Sequence, residues 1–444
     1  MSRAAILLFF AGALLAGAAP PGKVFPLAYD QHDFPNGLRL VTIPTDYPNV
    51  VALYIVVQTG SRNEVEPGKS GFAHFFEHMM FRGTKRFPPE KWEAIMKTAG
   101  AATNAYTSDD LTVYHAAFAK EDLEQILDLE ADRFRNLEYD EAGFRTEALA
   151  VLGEYNKNSA APMVKLFEVL QEKAFDRHTY KHTTMGFLKD IQDMPNQYEY
   201  SQRFFDRHYR PEHTTIVVAG YVDARLVRAW VGRYWGGWPR GSWRVEIPAE
   251  PPQTGPRRAH IDWPAPALPY VVVAQKGPAY SDTEKDAAAL RLMAAIGFGE
   301  SSDLYQQLVI QEQKVDTFGA ALPERVDPKL FYVIARLKDP SAMAEVEKRM
   351  LATLNGFTTT LVPAARLEAV KRNQRYAFAG ELDNSEAIAA TVAGFVALRR
   401  TPETINRYFD VIASLTPVDL QQAARKYLGE SGRTVVTLTG GGQK

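Results

Sequence analysis

His74-Phe75-Phe76-Glu77-His78 constrains this chain more than any other stretch. It sits in the run Gly71–Phe81, which has no Gly or Pro after its first residue, so the composition predicts a helix. On a helix His74 and His78 lie one turn apart and share a face, where two imidazoles can hold one Zn²⁺. At about 100° per residue, Glu77 falls roughly 60° from His74 and about 100° from His78. It can then reach a water on the metal without being a ligand, the placement a general base needs. An i, i+4 histidine pair alone is more often incidental than a metal site. Here Phe72, Phe75, Phe76, Met79 and Met80 leave almost no polar surface beyond the three motif residues. Such a helix must bury its ionisable groups or line a cavity with them. Unpaired buried charge is costly, and a metal removes that cost. The order H-x-x-E-H is that of the inverted zinc-binding motif.

A catalytic zinc takes three protein ligands and leaves a position for water. The third is sought in Asp140–Lys157, which reads as a helix with apolar Phe144, Ala148, Val151, Leu152 and Tyr155. Glu147 and Glu154 lie about 20° from alignment on it, nearly one above the other. Periodicity alone reads them as two solvated glutamates on an outer face.

Three segments, GFAHFFEHMMFRGTKRFP, GAATNAYTSDDLTVYH and FRTEALAVLGEY, resemble the pitrilysin, insulin-degrading enzyme and mitochondrial-processing peptidase family in order and spacing. The resemblance covers essentially the whole mature chain and is nearest the small, two-domain bacterial branch. It implies that Glu154, the second glutamate of an E-x6-E pair, is the third ligand of one Zn²⁺ per chain, with His74 and His78. It implies that Glu147 orients a ligating His or the water. Asn104 matches the family's residue that holds the substrate backbone beside the scissile bond. The implied fold is α+β: two similar domains, each a mainly antiparallel sheet with packed helices, facing each other across a chamber. The implied activity is zinc-dependent endopeptidase, with Glu77 as general base, acting on peptides or unfolded segments. The alternative is a non-catalytic zinc-binding or scaffold subunit.

With 444 residues, 46% hydrophobic content and a net charge of −2, the chain is long enough for two domains and has no basic excess pointing to nucleic acid. It has no cysteine, hence no disulfide and no thiolate metal site. Arg3, the apolar run Ala4–Ala16 and the Ala16-Gly17-Ala18 site describe a secretory signal peptide over 1–19, cut after Ala18 or Ala19. Export to the periplasm is expected, with no membrane attachment after cleavage. An uncleaved anchor is the alternative.

A zinc-binding domain is expected over 20–247, a Pro-rich linker over 248–257, and a repeat domain without the zinc motif over 258–444. Each half ends on a helix closing in Tyr (Tyr209, Tyr427), a turn, and a β-branched strand closed by Gly (Gly220, Gly440). In active relatives the second half carries an Arg and a Tyr that hold the substrate. Here Val309 and Asp316 stand at those positions, and Ser302-Asp303 replaces the usual Ser-Arg. A related partner subunit supplying the pair, in a heterodimer, is therefore expected, with a homodimer or self-sufficient chain as the alternative. His178 and His182 are also i, i+4, but lie in a loop with no carboxylate between them. Asp109-Asp110 reads as the turn of a hairpin.

Overall fold

The computed structural model describes residues 22–441. The leader expected over 1–19 lies outside them. Among the described residues, eleven strands form two sheets. The first contains β1 (Asp30–Asp33), β2 (Arg39–Pro44), β3 (Val50–Val57), β4 (Ala102–Thr107), β5 (Thr112–Ala119) and β6 (Thr214–Gly220), in the order β1-β2-β6-β3-β5-β4. The second contains β7 (Arg257–Trp263), β8 (Tyr270–Lys276), β9 (Val315–Ala321), β10 (Leu330–Leu337) and β11 (Arg433–Gly440), in the order β7-β11-β8-β10-β9. Leaving out β1, both sheets trace the same path: first strand, last, second, fourth, third. In both, the first and last strands pair in parallel and the other neighbours are antiparallel. The chain is a diverged repeat of one α+β unit.

β3, β6 and β8 read as continuous apolar runs, as strands covered on both faces do. One face of the first sheet (Leu38, Leu40, Leu53, Ile55, Ile216, Val218) packs on helices of its own half. Its other face (Val41, Ala52, Tyr54, Val56, Val217) is covered by Ile388, Val392 and Val396 of the helix Ser385–Arg399, from the second half. The reciprocal helix Pro162–Ala174 lays Leu166, Leu170 and Ala174 on Val272, Ala274 and Val436 of the second sheet. Each domain thus lends the other a helix.

Arg400 fastens the first of these. It follows Ser385–Arg399 at φ 57° and donates to the carbonyls of Gly37 (2.9 Å), Thr214 (3.2 Å) and Glu212 in the first domain. Arg400→Ala is expected to lower stability by about 2–3 kcal/mol, read from the denaturant midpoint, because charge-assisted bonds to buried carbonyls are lost.

Asp109-Asp110 does form the turn between β4 and β5, but both carboxylates are buried. Arg325 and Lys329, in the second domain, hold the Asp109 carboxyl down to about 2 against the desolvation that would raise it. A depressed carboxylate pKa adds stability above its unfolded value near 3.8, and that stability is lost as pH falls toward 2. In acid titration, Asp109→Asn is expected to flatten the fall in stability across this window by about 2 kcal/mol.

The segment Pro248–Pro256 has no regular structure, yet it is anchored. The Glu250 carboxylate accepts the N–H groups of Asp176 (2.9 Å), Arg177 (2.9 Å) and His178 (3.0 Å), and the Lys276 ammonium. None of the described helices is long and apolar enough to cross a membrane.

Candidate metal centre

The motif helix runs Phe72–Met79. Gly71 precedes it at φ 92°, where an added Cβ would come 2.3 Å from the Ile191 side chain, so only glycine fits. The Glu64 carboxylate, fully buried, accepts the free Gly71 and Ala73 N–H groups at 2.8 and 2.7 Å and so serves the helix start. Phe72, Phe75, Phe76, Met79 and Met80 are fully buried, as the sequence predicts. Phe76 stacks on Phe204, and Phe75 meets Phe144 at 5.1 Å between centroids. That last contact docks the motif helix on the helix Glu141–Ser159, which Asp140 caps through the Gly143 N–H. Phe144, Ala148, Val151 and Tyr155 form its buried stripe.

This docking brings His74, His78 and Glu154 together. The two Nε2 atoms are 3.3 Å apart, and Glu154 Oε2 lies 3.6 Å from His74 Nε2 and 3.2 Å from His78 Nε2. Three donors at about 2.0–2.1 Å from a tetrahedral zinc stand about 3.3–3.4 Å apart. The three observed spacings match that figure, so the donor set fits the ion. Among the described residues, this is the one group of three such side chains with ligand atoms so close.

Glu147 is buried rather than solvated, against the periodicity reading. Its carboxylate meets His78 Nδ1 at 3.1 Å and accepts from Arg82 Nε at 2.7 Å. The His78 hydrogen bond, with Arg82 behind it, draws the Glu147 carboxyl down, and the same bond raises His78. A proton kept on Nδ1 leaves the His78 Nε2 lone pair free for a ligand. Burial, then the neighbouring His78, push His74 down to about 4, so its imidazole is neutral as a metal ligand must be.

Glu77 is not part of the three-donor cluster. Its Oε2 accepts from Thr107 Oγ1 at 2.6 Å, at the end of β4. Burial pushes its carboxyl up, and the Thr107 bond opposes the shift. Asn104 is exposed on β4, the edge strand of the first sheet. Strand alternation puts it on the face opposite Ala105 and Thr107, and its Oδ1 accepts from the Ala105 N–H at 2.9 Å. The structure thus gathers Glu77, Glu147 and Glu154 around the two histidines and leaves Asn104 apart from them.

Three neighbours escape the motif reading: Arg82, Thr107 and Asn158. Arg82 continues the i, i+4 ladder of His74 and His78, and Asn158 stands four beyond Glu154, its Nδ2 3.3 Å from Glu154 Oε1. That spacing could have found both. The other histidine pair is engaged elsewhere: His178 Nε2 meets Asp327 at 2.9 Å and His182 Nδ1 meets the Thr183 carbonyl at 2.9 Å. Phe75 and Phe76 belong to the core, and Phe81 packs on Trp92.

Comparison with known proteins places this geometry. The insulinase (peptidase family M16) model matches residues 39–187, and the peptidase M16 inactive domain model matches residues 197–374. The chain belongs to peptidase family M16. The motif helix, Glu147 and Glu154 fall within the first match, and the half without the motif overlaps the second. The zinc protease PqqE of Helicobacter pylori is 27% identical over 430 residues, 95% of either chain. The β subunit of the mitochondrial-processing peptidase of Caenorhabditis elegans is 26% identical over 67% of this chain and 60% of its own. The crystal structure of a protease from Helicobacter pylori superposes with a TM-score of 0.85 at 26% identity, covering 93% of this chain and 99% of that one. These M16 relatives support a zinc peptidase function.

Proposed function

We propose that the chain is a zinc-dependent endopeptidase whose ion is held by His74, His78 and Glu154. The observation that carries this is the spacing of the three donor atoms, 3.2–3.6 Å, beside the separate, half-buried carboxylate of Glu77. Zinc, when bound, supplies a Lewis acid that acidifies a water and polarises a peptide carbonyl. Glu77 takes the proton of the attacking water and passes it to the leaving amine. Thr107 occupies Glu77 Oε2 and so leaves Oε1 for that proton. Glu147, bridged to Arg82, holds the His78 ring with its Nδ1 proton inward. β4 ends its sheet, so its free edge can take an extended peptide as a further strand, with Asn104 on that edge. Strand addition requires an extended backbone, which selects peptides and unfolded segments.

A related subunit supplying an Arg/Tyr clamp completes the enzyme in this reading. Val309 lies in the helical turn Gln306–Gln311, and Asp316 is tied to Arg336 at 2.7 and 2.9 Å, so neither offers a cationic or phenolic grip. The name of the C. elegans relative, a subunit, favours this over a lone chain. In the same reading the mature protein works in the periplasm, which the pattern of Arg3, the apolar run Ala4–Ala16 and Ala16-Gly17-Ala18 supports.

The test is hydrolysis of a quenched fluorescent peptide library by the zinc-loaded chain, alone and mixed with a related Arg/Tyr-bearing chain encoded by the same organism. Cleavage that stops with a chelator and returns with zinc supports the peptidase. A rate unchanged by mixing counts against the partner, and no cleavage in either case favours the scaffold reading.

A further inference from the structure

The tip of the β4–β5 hairpin is gripped from the second domain. Asp109 Oδ2 accepts from Arg325 Nε at 2.6 Å and Oδ1 from Lys329 Nζ at 3.1 Å. Asp110 accepts from the Val326 N–H at 2.8 Å and from Tyr180 OH at 2.6 Å. Lys329 lies over the Tyr180 ring, 4.2 Å from its centroid. Arg325, Val326 and Lys329 stand in the loop between β9 and β10, more than 200 residues along the chain from the hairpin, since Asp109 and Arg325 are 216 apart, whereas Tyr180 comes from the first domain. From below, Gly60 meets the same tip so closely that a Cβ there would come 2.2 Å from the Ser108 carbonyl, and Arg62 N–H donates to the Asp109 carbonyl at 2.8 Å.

Buried ion pairs contribute little net stability compared with apolar packing. Their better-attested use is to select one geometry. What this geometry serves is two residues away: Thr107, paired with Thr112 in the hairpin, donates to Glu77. A hairpin free to twist at its tip would carry Thr107 off the Glu77 carboxylate. Displacements of about 1 Å at a reacting group cost up to about 10²-fold in rate.

We propose that the second domain positions Glu77: Arg325 and Lys329 clamp Asp109, the clamped hairpin fixes Thr107, and Thr107 holds the carboxylate toward the substrate. The second domain, which lacks the metal motif, is thereby a working part of the site as well as a scaffold. This rests on the reading of Glu77 as the base. Arg325, Lys329 and Asp109 are positioning residues; none of them touches the three-donor cluster.

The test compares the zinc-loaded full chain, with its partner where one is required, with Arg325→Met and Lys329→Met, variants that replace a buried cation by an apolar chain of similar length. Amide exchange over residues 103–112 should quicken by about tenfold, while the motif helix keeps its protection and zinc content is unchanged. kcat should fall by about tenfold with KM unchanged, and Arg325→Lys, which keeps a cation beside Asp109, should restore most of it. Adding Thr107→Val to Arg325→Met should cost less than about twofold more, since residues acting along one chain of contacts are not additive. Unchanged exchange in the hairpin, or losses that multiply, would overturn the proposal. A wild-type chain inert with or without partner would instead sink the Glu77 reading, and the exchange result would still decide whether the clamp exists.

Discussion

Glu77→Gln is expected to lower kcat by a factor on the order of 10²–10⁴, the range for losing a general base, while the protein keeps its zinc and its fold. The amide oxygen of Gln can still accept from Thr107 Oγ1, which now donates to the carboxylate at 2.6 Å, so the side chain should stay in place. What disappears is the capacity to take a proton at Oε1. KM should move little, because Glu77 lies outside the donor cluster and, in the proposed function, acts on the water rather than on the peptide. Steady-state kinetics beside a metal assay separates the cases. A residual rate within about tenfold of wild type would mean that another group serves as base.

The second large effect belongs to Glu154. Glu154→Gln should weaken zinc binding by more than the roughly 10–100-fold typical of an outer-sphere partner, and hydrolysis should fall with the metal. Glu147→Gln provides the contrast. Its carboxylate touches Nδ1 of His78, not Nε2, so it should cost only about 10–100-fold in affinity, with hydrolysis recovering at higher zinc. Competition with a chromogenic chelator ranks the two. The reverse order would place Glu147 on the metal and move the site one turn pair along the helix.

The motif itself was readable because it is local. His74, Glu77 and His78 obey helical spacing, and the flanking aromatics fix which faces are buried. Glu147 and Glu154 were harder. Their seven-residue separation aligns them but says nothing about what they face, and without the family resemblance they read as solvated. Burial of Glu147 depends on Phe144 meeting Phe75, a contact between helices that no periodicity encodes. Thr107 was invisible for a similar reason: a threonine in a strand looks like any β-branched residue until its neighbour is known.

The exchanged helices show the same limit at the level of the fold. Ser385–Arg399 is apolar enough to be buried, but its sequence does not say whether its own sheet or the other half's will cover it. Asp109-Asp110 forms a turn, as the sequence predicts, yet turn carboxylates are usually solvated. In burial, Asp109 is met by Arg325 and Lys329 from the loop of the opposite domain, and Asp110 by the Val326 N–H of the same loop and by Tyr180. By contrast, the repeat was legible at its ends, where the Tyr-turn-strand-Gly pattern recurs, and the matching strand order of the two sheets extends it to the whole unit.

The measurement that tests the account most directly is an anomalous-scattering map at the zinc edge from crystals of the zinc-loaded protein. The account predicts one peak per chain, between His74 Nε2, His78 Nε2 and the Glu154 carboxylate, with Glu77 outside bonding range. No peak there, or a peak bonded to Glu77 or Glu147 in place of Glu154, would contradict it.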